Sequence, residues 1–151
     1  MAKHAQAVYE AQARWQGGLT DGSGEITGSK SGALGNLPVT WNARTGGDYS
    51  MTSPEELLAA AHAACFAMAL SYELQGRKAP PKSLEVSARV GFDPKVGGGF
   101  EVSFSELSVR GDVPDISDAE FQEAVAQASQ GCPISSALKG NVAITAEAER
   151  V

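Results

Sequence analysis

The residues of this chain best suited to reactive chemistry are two cysteines and two histidines. Cys65 follows His62 by three positions inside a run of small and apolar residues from Leu57 to Leu70. Cys132 sits in Gly131-Cys132-Pro133-Ile134-Ser135. A thiolate is the nucleophilic form of cysteine, and a histidine three residues away on a helix shares its face, so His62 and Cys65 could act as a Cys/His pair. The plainer reading is a histidine satisfied in the core beside a cysteine that packs, because free cysteine is among the most buried residue types and an apolar site raises its pKa. Cys132 looks more activated, since Pro133 suits a first helical position and a helix N-terminus stabilises thiolate. These residues alone leave open which thiol attacks, and Cys65 would need a cation nearby to ionise at neutral pH.

Other site chemistries find little support. There is no C-x-x-C, no H-E-x-x-H, no G-x-S-x-G elbow, no G-x-G-x-x-G and no P-loop in the sequence. The glycines read as turn residues. Arg44, on the linker before the apolar run, reads by itself as a surface charge.

The elements that would carry these residues are legible from pattern. Ser53 as N-cap, Pro54 at the first position and Glu55 with Glu56 in the first turn open a helix that should stop near Gly76-Arg77-Lys78. Being apolar all round, it should be buried on every side. Ahead of it, Gln6 to Gln16, Glu25 to Ser29 and Val39 to Trp41 read as an antiparallel meander of strands. Leu84, Val86, Ala88, Val90 and Phe92 alternate with polar residues in a half-buried strand that returns through Phe100 to Arg110, with Val102, Phe104, Leu107 and Val109 inward. Ser117-Asp118-Ala119-Glu120 is a capping-box pattern for an amphipathic helix carrying Phe121, Ala124, Val125 and Ala128. A short helix from Pro133 and a strand from Asn141 to Glu149 finish the chain. The order predicts one α+β domain, residues 1–151, with an antiparallel or mixed sheet wrapped around a buried central helix.

With 151 residues, 42% hydrophobic and 20% charged, the composition is that of a globular protein. A formal charge of −6 argues against a nucleic-acid partner, and the apolar run is short for a membrane span. Met1-Ala2-Lys3-His4-Ala5-Gln6 shows no signal pattern, so a cytoplasmic protein is expected, where cysteines serve as buried thiols or in redox chemistry.

Pro54-Glu55-Glu56-Leu57, Ala60-Ala61-His62-Ala63-Ala64-Cys65-Phe66 and Gly131-Cys132-Pro133-Ile134-Ser135 together resemble the OsmC/Ohr family of peroxidases, in its OsmC (osmotically inducible protein) branch. The resemblance extends from Trp15-Gln16-Gly17 through Asn42-Ala43-Arg44 to the last strand. It implies an intertwined homodimer that reduces organic hydroperoxides without metal, flavin or haem and is restored by an external dithiol, for which lipoyl-type donors are the family's suggestion. It also implies roles: Cys65 peroxidatic, Cys132 resolving, Arg44 activating the thiolate and Glu55 orienting the arginine. Arg14 matches the earlier arginine of the hydroperoxide-resistance branch and is the alternative to Arg44. Ten residues separate Glu55 from Cys65, roughly 15 Å along a straight helix, so either the helix bends or Glu55 serves another subunit's site. A different class of function, a noncatalytic dimeric module for a small apolar ligand with both cysteines merely buried, is the competing expectation.

Overall fold

A computed structural model describes residues 4–151, and the sequence reading of Met1 to Lys3 lies outside the described residues. The chain divides into two compact units, the first ending at Pro54 and the second running from Glu55 to Val151.

The first unit is a three-stranded antiparallel sheet in the order β1 (Ala11–Gln16), β2 (Ser23–Ser29), β3 (Leu37–Val39). Gly17, at φ +87°, takes the left-handed conformation that the turn after β1 requires, and the Trp15 indole donates to the Gly17 carbonyl at 3.2 Å. The third strand lies two residues earlier than the pattern predicts, because Thr40 ends it by capping a helix. Its hydroxyl accepts from the Ala43 amide at 3.1 Å and starts α1 (Trp41–Arg44), where the sequence predicts strand and linker.

In the second unit, α2 (Pro54–Gly76) is followed by the hairpin β4 (Ser83–Pro94) and β5 (Phe100–Asp112), then α3 (Asp118–Gly131), α4 (Pro133–Leu138) and β6 (Ala143–Arg150). The sheet is mixed, with β5 central, β4 antiparallel to it and β6 parallel. The fold is therefore α+β as expected, but its strands form two small sheets instead of one; alternation marks a strand without saying which strands will pair.

Between Val90↔Ser105 and Phe92↔Val102 the register of β4 and β5 shifts, so Ser103 and Phe104 together oppose Gly91. This bulge puts Val102, paired with Phe92, on the same face as Leu107 and Val109 despite its opposite parity, while Phe104, expected inward, lies with Ser103 on the Gly91 face. Gly91 is the partner because a Cβ there would collide with the Phe104 ring.

The capping box of α3 forms as predicted: the Glu120 amide donates to Ser117 Oγ at 3.2 Å and the Ser117 amide donates to the Glu120 carboxylate at 3.2 Å. Phe121, Ala124, Val125 and Ala128 then face a core shared with Leu107 and Val109 of β5 and with Phe66, Leu70 and Leu74 of α2. Gln122 Nε2 donates to the Ala148 carbonyl at 2.7 Å, and Arg150 Nε to Asp118 at 2.6 Å, which hold α3 to β6.

The expectation that α2 is covered on every side is corrected here. Its fully buried residues, His62, Phe66, Leu70 and Leu74, recur every four positions and form one stripe, while Met68 and Tyr72 on the opposite side are 73% and 76% exposed. One chain supplies only one layer of packing against the helix. By length and composition α2 is apolar enough to cross a membrane, but this stripe is packed in the protein core.

Phe121 is fully buried, and its ring comes so near Gly111 that a Cβ on the glycine would lie 2.9 Å from Phe121 Cζ. Phe121→Ala should lower the unfolding free energy by about 3–5 kcal/mol through lost burial and a residual cavity, read as a fall in the guanidinium midpoint.

Candidate active site

The second unit brings the two cysteines together. Cys65 projects from the middle of α2, and Cys132 is at once the C-cap of α3 and the N-cap of α4. Its backbone serves both helices, the amide donating to the Ala128 carbonyl at 2.8 Å and the carbonyl accepting from the Ser136 amide at 3.0 Å. The junction therefore fixes the position of the sulfur. The two Sγ atoms lie 3.2 Å apart, a thiol contact that a small movement would convert into a disulfide bond of about 2.05 Å.

Access to the two sulfurs is unequal. Cys132 is fully buried, whereas Cys65 is half-buried and lines an open cavity of about 370 Å³. Met68, Ala69, Tyr72, Ala128 and Pro133 share the lining and make it apolar. A small molecule entering there reaches Cys65 first.

Their ionisation is unequal in the opposite sense. Burial pushes the Cys65 thiol up; the Ile134 amide works against this, and the neighbouring Cys132 adds to the rise. Burial acts on Cys132 in the same direction, but the Ser135 hydroxyl and amide, the Cys65 thiol and the Ile134 amide outweigh it and hold Cys132 below its ordinary value. The sulfur makes no capping hydrogen bond of good geometry, so the donors at the start of α4 act mainly as dipoles directed at it.

Behind the pair lies a cluster that the sequence reading did not assemble. His62 is fully buried, with Nδ1 2.6 Å from Ser105 Oγ on β5 and Nε2 2.7 Å from Ser135 Oγ on α4. A histidine inside an apolar run signals that partners must exist, but Ser105 and Ser135 are 43 and 73 positions away and nothing local names them. Burial lowers the His62 pKa and keeps the ring neutral. His62 is thus satisfied in the core, the plainer of its two readings, and both ring nitrogens are engaged by hydroxyls.

The remaining candidates are placed as follows. Glu55 is in the first turn of α2 and only 6% exposed. The helix runs without interruption from Pro54 to Gly76, so Glu55 stands roughly 15 Å along the axis from Cys65. Arg44 ends α1, half-buried, and Arg14 lies on β1 opposite Glu25; both belong to the first unit. Among the described residues, no three His, Cys, Asp or Glu side chains are grouped to hold a metal ion.

The lowered His62 pKa has a consequence for stability. The unfolded chain takes up a proton at this histidine near pH 6.5 while the folded chain resists it, so the unfolding free energy should decline as pH falls below about 6.5 and level off below the folded-state value. Urea midpoints between about pH 7.5 and about pH 5.5 measure the slope, which should flatten in His62→Gln.

Comparison with known proteins places this geometry in a family. The model of the OsmC-like protein family matches residues 46–147. The chain is 38% identical over 135 residues to peroxiredoxin OsmC of Escherichia coli (strain K12), covering 89% of this chain and 92% of that one. It is 32% identical over 142 residues to the organic hydroperoxide resistance protein OhrB of Bacillus subtilis (strain 168), covering 93% and 98%. The crystal structure of an organic hydroperoxide resistance protein from Elizabethkingia anophelis superposes with a TM-score of 0.75 at 28% identity, covering 97% of this chain and 100% of that one. With its paired cysteines on α2 and at the α3–α4 junction, the chain belongs to the OsmC family of α+β proteins.

Proposed function

We propose that this protein is a cysteine-based peroxidase that reduces organic hydroperoxides to alcohols. The observation that carries the reading is the arrangement of the two sulfurs: Cys65 open to an apolar cavity, and Cys132 buried 3.2 Å behind it. The relatives' names, peroxiredoxin OsmC and organic hydroperoxide resistance protein, support the same chemistry.

In this reading the Cys65 thiolate attacks the terminal peroxide oxygen. The O–O bond breaks, the alkoxide leaves and takes a proton to become the alcohol, and Cys65 is left as a sulfenic acid. Cys132 then attacks that sulfur, releasing water and forming a disulfide, and an external dithiol restores both thiols by exchange. The apolar cavity favours a hydroperoxide with a hydrocarbon body, and a lipoyl-type dithiol suits the same surface.

Arg44 is the cation assigned to Cys65. A guanidinium offsets the desolvation that holds this thiol protonated and stabilises charge developing on the peroxide oxygens. Glu55 orients its fork. Since Glu55 stands so far along α2 from Cys65 of its own chain, it serves the Cys65 of a second copy, and the working protein is a homodimer. The exposed apolar side of α2, with Met68 and Tyr72, supports that association.

Stoichiometric and steady-state assays with cumene hydroperoxide test the reading. One equivalent should remove both thiols of the wild-type chain, whereas a passive binder of apolar ligands would lose neither. Cys65→Ser should abolish dithiol-dependent turnover, and undiminished activity in that variant refutes the assignment. Cys132→Ser should still consume peroxide once and accumulate a trappable sulfenic acid.

Arg44→Ala should slow peroxide reduction on the order of 10²-fold, as loss of a charge-stabilising donor does elsewhere. For the cross-chain site, mixing Cys65→Ser chains with Glu55→Ala chains should restore activity, because the heterodimer holds one complete set. A mixture no more active than its parents would place Glu55 outside the partner's site.

A further inference from the structure

The peroxidase reading leaves one buried polar cluster without employment. His62, Ser105 and Ser135 lie at 0%, 0% and 4% exposure, and the imidazole is hydrogen-bonded to both hydroxyls. The cluster ends beside a thiol: Ser135 is the third residue of α4 and Cys132 its N-cap, so the Ser135 amide and hydroxyl lie toward the sulfur. A purely structural cluster would need only its own hydrogen bonds. This one includes the third residue of the short helix whose N-cap carries the sulfur that must form the disulfide.

A hydroxyl has a single hydrogen to give, and a neutral imidazole has one donor and one acceptor nitrogen. If the His62 proton sits on Nδ1, Ser135 must donate to Nε2 and has no hydrogen left for Cys132. If it sits on Nε2, the ring donates to Ser135 Oγ, and the Ser135 hydrogen is free to point at Cys132 Sγ. Ser105 decides between the two by the hydrogen bond it makes at Nδ1. We propose that His62 and Ser135 are positioning residues for the disulfide-forming step: the Ser105 hydroxyl donates to Nδ1, Nε2–H donates to Ser135 Oγ, and the Ser135 hydroxyl donates to Cys132 Sγ as a thiolate. The inference rests on the peroxidase reading given above.

The step balances within the pair. The Cys132 thiolate supplies its electron pair to the Cys65 sulfenic sulfur; the S–S bond forms as the S–O bond breaks. Hydroxide leaves and combines with the proton that Cys132 released, giving water. The Cys132 sulfur is oxidised by as much as the sulfenic sulfur is reduced, so no outside electrons enter. Ser135 transfers nothing and holds the negative charge in place until attack. The titratable groups acting on Cys132 are Cys65 directly and His62 through Ser135.

The direction of the Cys132 shift agrees with this geometry, since the Ser135 hydroxyl is the foremost of the groups favouring its thiolate over the opposing effect of burial. No comparable hydroxyl acts on Cys65, whose first opposing group is the Ile134 amide. The cluster therefore distinguishes the second chemical step from the first.

The test uses the full-length reduced protein and one equivalent of cumene hydroperoxide, following sulfenic acid at Cys65 with a dimedone-type trap and the Cys65–Cys132 disulfide by quenched peptide mapping. In Ser135→Ala, sulfenic acid should form at the wild-type rate while disulfide formation slows about 10-fold or more, the loss expected for one hydrogen bond to a charged group. Ser135→Thr, which keeps the hydroxyl, should restore it. Disulfide formation at the wild-type rate in Ser135→Ala, or both steps falling together without rescue by Thr, overturns the inference. An independent readout needs no substituted chain and no peroxide: the ¹⁵N shifts of His62, one of two histidines in the chain, should report a neutral ring protonated at Nε2, and a ring protonated at Nδ1 overturns the assignment. If the wild-type chain itself forms no sulfenic acid, the peroxidase reading has failed, a result visible in that arm alone and distinct from failure of the Ser135 arms.

Discussion

A neutral imidazole in an apolar interior must satisfy two ring nitrogens, and His62 does so with hydroxyls on two other elements. Through Ser105 it is tied to the central strand β5, and through Ser135 to the short helix α4. Those two ties, together with the Phe66–Leu70–Leu74 stripe one turn further along α2, locate the helix carrying Cys65 against the element that starts at Cys132. A shift of α2 by one residue would break both hydrogen bonds and rotate the stripe out of the core. The 3.2 Å approach of the sulfurs is thus a consequence of how a histidine is buried. It does not need a crosslink to hold it.

The same helix faces two ways. Alanines at positions 59, 60, 61, 63, 64 and 67 let neighbouring elements approach closely, but within one chain only the His62 side is covered. A stripe of four fully buried residues is what an ordinary amphipathic helix offers a core, yet the opposite side of α2 is no more polar than the covered one. Apolar residues on both sides are explained if the opposite side is covered in the working assembly. The long separation of Glu55 from Cys65 points the same way, because a buried carboxylate at the head of the helix is too remote for a thiol ten residues on. Shape and reach therefore both support the association through α2 proposed above.

Much of this was legible in the sequence, and what was not has identifiable causes. Pro54 and the acidic pair after it marked the start of α2, and the serine and glutamate of the capping box marked α3, because these signals act on orphan amides within a single turn. The cysteine motifs carried the family. The helix α1 was missed because four residues hold no helical period, and only Thr40 capping Ala43 reveals it. Strand alternation identified β4 and β5 but was silent on the division into two sheets. Each strand also displays only the parity of its own residues, so the bulge opposite Gly91 becomes visible only when two strands are set side by side. The cluster of His62, Ser105 and Ser135 was hidden for the same reason, since hydrogen bonds between distant positions leave no spacing in the chain.

Ionisation and access are assigned to different sulfurs. A hydroperoxide reaches Cys65, which burial keeps protonated, while the charge is favoured on Cys132, which is shut away from solvent. If one sulfur had both properties, the resting protein would expose a thiolate to every oxidant and metal in its surroundings. With them separated, attack needs a further group to bring the charge to Cys65. Within the pair the charge is favoured on Cys132, and its Ser135 and Ile134 donors do not depend on the state of Cys65, so they still act on it after Cys65 is oxidised. The sulfur pair by itself favours charge on the sulfur of the second step, and the first step calls for a cation, the task proposed above for Arg44.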